Sequence, residues 1–205
     1  MALIHRATIR PTKAELLDEW VPTQPWGEPG LEIVGAFRFD DPDGEVGIET
    51  HVVVTAGGHL LQIPLTYRGA PLVGADPFLV CTMEHSVLGR RWIYDATGDP
   101  VYAQVLASVL SGRAAQADEY VEGVDAPREP SVRVTSGGTS GRDLRPDDTD
   151  VSAAWDASTT VVEAGGLRIV LCRRLAVQGA AAAHELTLTG TWSGGSEPFL
   201  LAYVA

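Results

Sequence analysis

The segments Gln62-Ile-Pro-Leu-Thr-Tyr-Arg-Gly69 and His85-Ser-Val-Leu-Gly-Arg-Arg-Trp-Ile-Tyr-Asp-Ala-Thr-Gly-Asp-Pro100 decide how this chain reads. Their apolar and β-branched content marks strands. Asp99-Pro100 then opens a helix, because an Asp side chain accepts from the free N–H groups of a first turn and proline is tolerated at the first helical position. Val101, Val105, Leu106, Val109 and Leu110 form its apolar face, and Gly112 is the expected stop. Pro64 falls inside the strand expected over 59–67. It lacks an N–H for a ladder, which argues for an edge position or a bulge.

Upstream, residues 2–10 read as a short strand or an extended lead-in. Thr12 with Glu15 three residues on is a capping box, so a short helix begins there, with Leu16, Leu17 and Trp20 on one face and Pro22 and Pro25 ending it. Strands are expected over 31–39 and 46–55, joined through the turn Asp41-Pro-Asp-Gly44. In the second, Ile48, Thr50, Val52 and Val54 share one face and Glu49, His51 and Val53 the other. Gly57-Gly58 turns the chain into strand 59–67. Residues 71–83 read as irregular, 85–94 as a fourth strand, and 114–120 as a further helical turn.

Downstream, 136–150 is a long polar loop rich in Gly, Ser, Thr, Asp and Pro. Strands 158–163 and 167–175 flank Gly165-Gly166, and strands 185–192 and 198–204 flank Ser-Gly-Gly-Ser at 193–196. The expected fold class is α+β: a curved antiparallel sheet with about two helices on one face, plus a C-terminal β-hairpin segment. The expected division is a first domain over 1–125, a loop or linker over 126–157, and a β-rich segment over 158–205 packed on the first.

A formal net charge of −12 over 205 residues lacks the basic footprint that nucleic acid or an anionic membrane needs. Lys13 is the only lysine among 15 basic residues, and a solvated place on its helix is expected. Cys81 and Cys172 are isolated, so neither a zinc nor a redox motif is supported. No apolar run fits a signal peptide or a membrane span, and a cytoplasmic location is expected.

No residue set amounts to a catalytic site. Arg68, Arg90 and Arg91, with Tyr67 and Tyr94 nearby, are the candidates for binding an anionic or sugar ligand; the plainer reading is pairing with the chain's many acids. Asp95 and Asp99 read as a turn residue and a helix cap before they read as paired catalytic carboxylates. Glu49 and His51 with His59 or His85 lack a recognised metal-ligand spacing, and His184-Glu185 is weaker still. There is no Gly-x-Ser-x-Gly elbow. Neither a metal nor a cofactor is expected.

At Pro-Leu-Thr-Tyr-Arg (64–68) and Trp-Ile-Tyr-Asp-Ala-Thr-Gly-Asp-Pro-Val-Tyr (92–102) the chain resembles the N-terminal cap of maltokinases. It is most similar to the actinobacterial cap-like proteins, some of which carry the name 1,4-α-glucan branching protein, over roughly 1–125. The segment from Ser158 to Leu175 resembles the first hairpin of the maltokinase kinase lobe. There the resemblance implies a nucleotide-positioning lysine three residues before paired arginines. Here the arginines are Arg173 and Arg174, and that position is Val170. Glu185 matches the acidic partner of that lysine but lies in a strand pattern. On this resemblance, no counterpart of the family's catalytic lobe is expected within residues 1–205.

Phosphoryl transfer needs a cation on the phosphates, metal ligands and a base, and neither GxxxxGK[ST] nor His-Arg-Asp occurs. Glucan branching would need two carboxylates in a large sugar cleft, and 205 residues is short for the usual barrel. The resemblance thus implies a non-catalytic accessory or binding protein linked to α-glucan, trehalose or maltose metabolism, with a carbohydrate ligand, a protein partner or a homodimer. The alternatives are a small enzyme acting on a sugar or sugar phosphate, and a regulatory subunit of a separate kinase or glucan enzyme.

Overall fold

The computed structural model describes residues 2–4, 7–138, 144, 146, 151–176, 184–192 and 197–205. In chain order the elements are β1 (Ala2–Ile4), β2 (Ile9–Arg10), α1 (Lys13–Trp20), β3 (Glu32–Phe39), β4 (Gly47–Val54), β5 (Leu60–Arg68), β6 (Leu79–His85) and β7 (Gly89–Asp95). Then come α2 (Pro100–Leu110), β8 (Glu119–Val121), β9 (Val132–Ser136), β10 (Val151–Trp155), β11 (Thr159–Ala164), β12 (Leu167–Cys172), β13 (Arg174–Leu175), β14 (Thr187–Trp192) and β15 (Phe199–Val204).

These strands build two antiparallel sheets. The first runs β2-β6-β7-β5-β4-β3, and the second β10-β11-β12-β15-β14-β9. β13 adds to β5, and β1 with β8 forms a short parallel pair. The class is α+β, curled antiparallel sheets with two α-helices among the described residues.

Strand alternation gives the first sheet two apolar faces. Val53, Leu61, Ile63, Leu65, Met83 and Ile93 face α1 and meet its Leu16 and Leu17. Phe37, Phe39, Ile48 and Val52 belong to a separate cluster with α2 and with Ile169, Leu171, Leu188 and Leu201 of the second sheet. The helices therefore divide between the two faces. α2 is enclosed between sheets, so Tyr102, Ala103 and Ala107 are buried besides the expected stripe. Gln104 is its one exposed residue, and a helix apolar over most of its surface is a core helix.

Local signals behave as their chemistry dictates. Thr12 Oγ1 accepts from Glu15 N–H and the Glu15 carboxylate accepts from Thr12 N–H at 2.7 Å, closing the capping box. Asp99 caps α2, accepting from Val101 N–H at 2.9 Å. Arg113 N–H reaches Ser108 O and Gly112 N–H reaches Val109 O, with Gly112 at φ 73°, a glycine-dependent helix stop.

Several expectations are corrected. Residues 71–94 hold two strands, β6 and β7, where one was read. The hairpin turn hides in Ser86-Val87-Leu88, whose apolar pair imitates a strand, while the His85 Nδ1 accepts from Val87 and Leu88 N–H. Residues 114–118 are not helical, and 119–121 form β8. Within 126–157, read as a linker, β9 and β10 form because their alternating residues find partners in β14 and β11. Most of the polar loop 136–150 and the turn 193–196 lie outside the described residues.

Pro64 lies in an interior strand, opposite Thr50 of β4. Gln62 N–H donates to Arg173 O on the other side of β5, so alternation turns the Pro64 nitrogen that way too. There β13 pairs Leu60 and Leu61 while β7 begins at Leu65. The missing donor falls in the gap between two partner strands, where no ladder bond is lost. Among the described residues no helix is long and apolar enough to cross a membrane.

Candidate functional site

Folding the hairpin β3–β4 sets Arg38 directly across from Glu49. Both lie on the face toward α1, as do His51 and, on β5, Tyr67. The first turn of α1 brings Lys13 onto the same spot. Its Nζ donates to both Glu49 oxygens, at 2.8 and 2.6 Å, and Arg38 Nη2 donates to Oε1 at 3.1 Å. His51 Nε2 lies 3.4 Å from Glu49 Oε2 and 3.4 Å from the Tyr67 hydroxyl.

The Glu49 side chain is only 8% exposed. Burial alone would raise its pKa; the charges of His51, Lys13 and Arg38 outweigh burial and hold it well below the usual carboxylate range. Burial pushes His51 down to about 4 despite the pull of Glu49, so the ring is neutral at pH 7. Burial, and then the Glu49 charge, push Tyr67 well up. A carboxylate held this low is a poor general base near neutral pH.

Beside the cluster opens a cavity of about 770 Å³, within the range of small-molecule sites. Lys13, Arg38, Glu49, Tyr67, Met83 and Arg91 line it across the sheet from β3 to β6.

Of the residues singled out from the sequence, Arg91 lines this cavity. Its Nη2 donates to Leu88 O at 2.6 Å, and its buried Nε has no partner among the described residues. Arg68 grips Asp99 with Nε at 2.7 Å and Nη2 at 2.6 Å, which ties β5 to the cap of α2. Arg90 pairs with Glu84 on the surface. Tyr94 is buried, and its hydroxyl accepts from Leu72 N–H at 2.9 Å. Alternation sets Arg68 and Tyr94 on one face of the β5–β7 pair and Arg91 on the other, so the candidates do not form one group. His85 lines the cavity, whereas His59 pairs with Glu28 at 2.9 Å elsewhere. Among the described residues no group of three or more His, Cys, Asp or Glu could hold a metal.

Lys13, expected to be solvated, is instead committed to Glu49, and Arg38 was not singled out at all. A signal for Arg38 did exist. Pairing the strands on either side of Asp41–Gly44 puts 38 opposite 49, an opposite-charge cross-strand pair.

A second polar cluster joins the sheets. The Arg173 side chain is fully buried, with Nη2 on both Asp95 oxygens, Nε on Thr160 Oγ1 at 2.8 Å, and the guanidinium carbon 4.3 Å from the Trp26 ring centroid. Gln62 reciprocates: its Nε2 donates to the carbonyls of Cys172 and Leu201. Asp95 also accepts from Thr97 N–H at 3.1 Å, and Asp99 from Val101 and Arg68, so both carboxylates have structural partners. Val170 is buried on β12, opposite Val161 and Tyr203, and Glu185 is exposed ahead of β14.

The strands β3 to β7 and the loops between them, through to the cap of α2, coincide with a known family model. Residues 20–99 match the maltokinase N-terminal cap domain. The cap match takes in Arg38, Glu49, His51, Tyr67 and Arg91, and leaves Lys13 and the second sheet outside. It is narrower than the resemblance read over 1–125. No curated protein matches the chain. A solved structure described as glucosamine kinase in complex with glucosamine, ADP and inorganic phosphate aligns with 95% of this chain and 40% of its own, at 17% identity and a TM-score of 0.48. The chain thus spans less than half the length of that kinase.

Proposed function

We propose that this chain is an accessory module of the maltokinase-cap type that binds rather than phosphorylates, and that it serves maltose, trehalose or α-glucan metabolism in the cytoplasm. The observation that carries the reading is the fate of Lys13. The only lysine is tied by Nζ to both oxygens of Glu49, and the position that the maltokinase resemblance gives to a nucleotide lysine is the buried Val170. A phosphoryl-transfer site without a cation on the phosphates lacks its main source of transition-state stabilisation. The cap match supports the metabolic link. The β-rich segment over 158–205, part of the second sheet, is then a kinase-lobe-like segment kept for packing against the cap region rather than for nucleotide chemistry.

Incubation of the full chain with Mg-ATP and maltose, glucose or glucosamine tests this. No sugar phosphate above the protein-free control is expected. Product that scales with protein concentration, and that persists through repurification, would overturn the reading in favour of a small enzyme on sugars.

A further inference from the structure

We infer that the cavity beside Glu49 binds a neutral, oxygen-rich small molecule of sugar size, held by Lys13, Arg38 and Arg91. The inference rests on the binding reading above.

A donor without a partner carries the argument first. Arg91 Nε is buried and has no hydrogen-bond partner among the described residues, whereas Arg38 Nε is held by charge, 3.8 Å from the Glu119 carboxylate, and brings its guanidinium to the same cavity. Both side chains line the cavity, Arg38 from the edge strand β3 and Arg91 from the interior strand β7. Leaving a buried donor without an acceptor is costly, so Arg91 Nε at the cavity favours an acceptor arriving from elsewhere. Lys13 adds a further donor. An ammonium has three, and its two Glu49 contacts leave capacity at a side chain 32% exposed.

Charge then decides between an anion and a neutral molecule. The cavity lining sets Lys13, Arg38 and Arg91 against four carboxylates, those of Glu49, Asp40, Asp41 and Glu45. The whole chain carries −12. A phosphate or carboxylate ligand would meet that field without a net cationic pocket to offset it. A neutral hydroxyl-rich molecule offers acceptors to the arginines and donors to the rim carboxylates, with no net charge to desolvate. The apolar part of the lining, Ile9, Phe39, Ile48, Met83 and Leu88, gives C–H surfaces a place to rest. A volume of about 770 Å³ accommodates one or two sugar rings.

Two-dimensional amide spectra of the full chain, titrated separately with glucose, maltose and inorganic phosphate at constant ionic strength, test this. Saturable shifts in residues 38–49 and 88–91 are expected with at least one of the two sugars, and none with phosphate. Arg91→Met is expected to weaken the sugar titration by roughly tenfold, as for a lost hydrogen bond to a charged donor, with an unchanged thermal melt. If that variant fails to fold, the wild-type shift map decides alone. Phosphate moving these amides while the sugars do not would replace the inference with an anion site. Silence from both sugars up to about 50 mM, beyond any useful affinity, or wild-type sugar binding by a folded Arg91→Met, would overturn it. The transfer assay above reads product and the titration reads amide shifts, so a failure of the binding reading and a failure of this inference are distinguishable.

Discussion

Arg173 donates from Nη2 to both carboxylate oxygens of Asp95, at 2.8 and 2.6 Å, across 78 residues of chain. The pair bridges the two sheets inside the protein, with Thr160 Oγ1 accepting from Nε and the Trp26 ring lying against the guanidinium, while Nη1 has no hydrogen-bond partner among the described residues. Removing one partner of such a pair leaves a buried charge without compensation. Asp95→Ala is expected to lose about 3–5 kcal/mol in urea unfolding. The double variant Asp95→Ala with Arg173→Met is expected to be more stable than Asp95→Ala alone. A loss under about 1 kcal/mol, the level of an exposed pair, would show that the bridge is peripheral.

Asp99 closes the first turn of α2 and anchors Arg68 in one stroke. Asp99→Ala should cost about 2 kcal/mol, the upper end for a lost cap, and Asp99→Asn less, because the amide can still accept from Val101 N–H. Thermal melts of the two variants give the order.

His51 makes stability depend on pH. Its pKa is lowered from the ordinary 6.5 to about 4 by burial, so the folded state resists the proton that the unfolded chain accepts. The stability this contributes is fully present above pH 6.5 and is lost as pH falls toward 4, by about 3 kcal/mol in all at 1.4 kcal/mol per unit. Glu49, held below its ordinary value, adds a further loss only below about pH 4.5. In His51→Gln the slope between pH 6.5 and 4.5 should flatten. An unchanged slope would place the titrating group elsewhere.

What was legible in the sequence was whatever short-range chemistry fixes. The Thr12–Glu15 box, the Asp99-Pro100 start, the Gly112 stop and the face alternation of β4 each depend on a few adjacent residues. The β6–β7 turn escaped because Val87 and Leu88 are strand-like in composition while the turn is held by the His85 ring. Pro64 suggested an edge, whereas its strand is interior with a gap beside it that only the joining of β13 creates. Glu49, His51 and Tyr67 were visible as residues. Their meeting with Lys13 needed the placement of α1 on the sheet, a long-range fact that no local pattern carries. Arg173 was visible only as half of an arginine pair; its burial depends on Asp95 and Trp26 arriving from the other sheet and a distant loop.

The second sheet depends on the first for cover. Its inner residues Ile169, Leu171, Leu188 and Leu201 pack in the same cluster as α2 and the first sheet. Residues 127–205 expressed alone should therefore give a collapsed amide spectrum and no sharp melt, since sheets with one bare apolar face are marginal in water. A dispersed spectrum with a cooperative transition would mean two autonomous domains, as a division near 125 and 158 would allow.

The most direct test of the central claim, that this chain binds without serving phosphoryl transfer, is a calorimetric titration of the full chain with Mg-ATP. With Lys13 held by Glu49 and valine at position 170, no saturable heat is expected. A saturable isotherm with Kd below about 100 μM, roughly −5.5 kcal/mol, would contradict it.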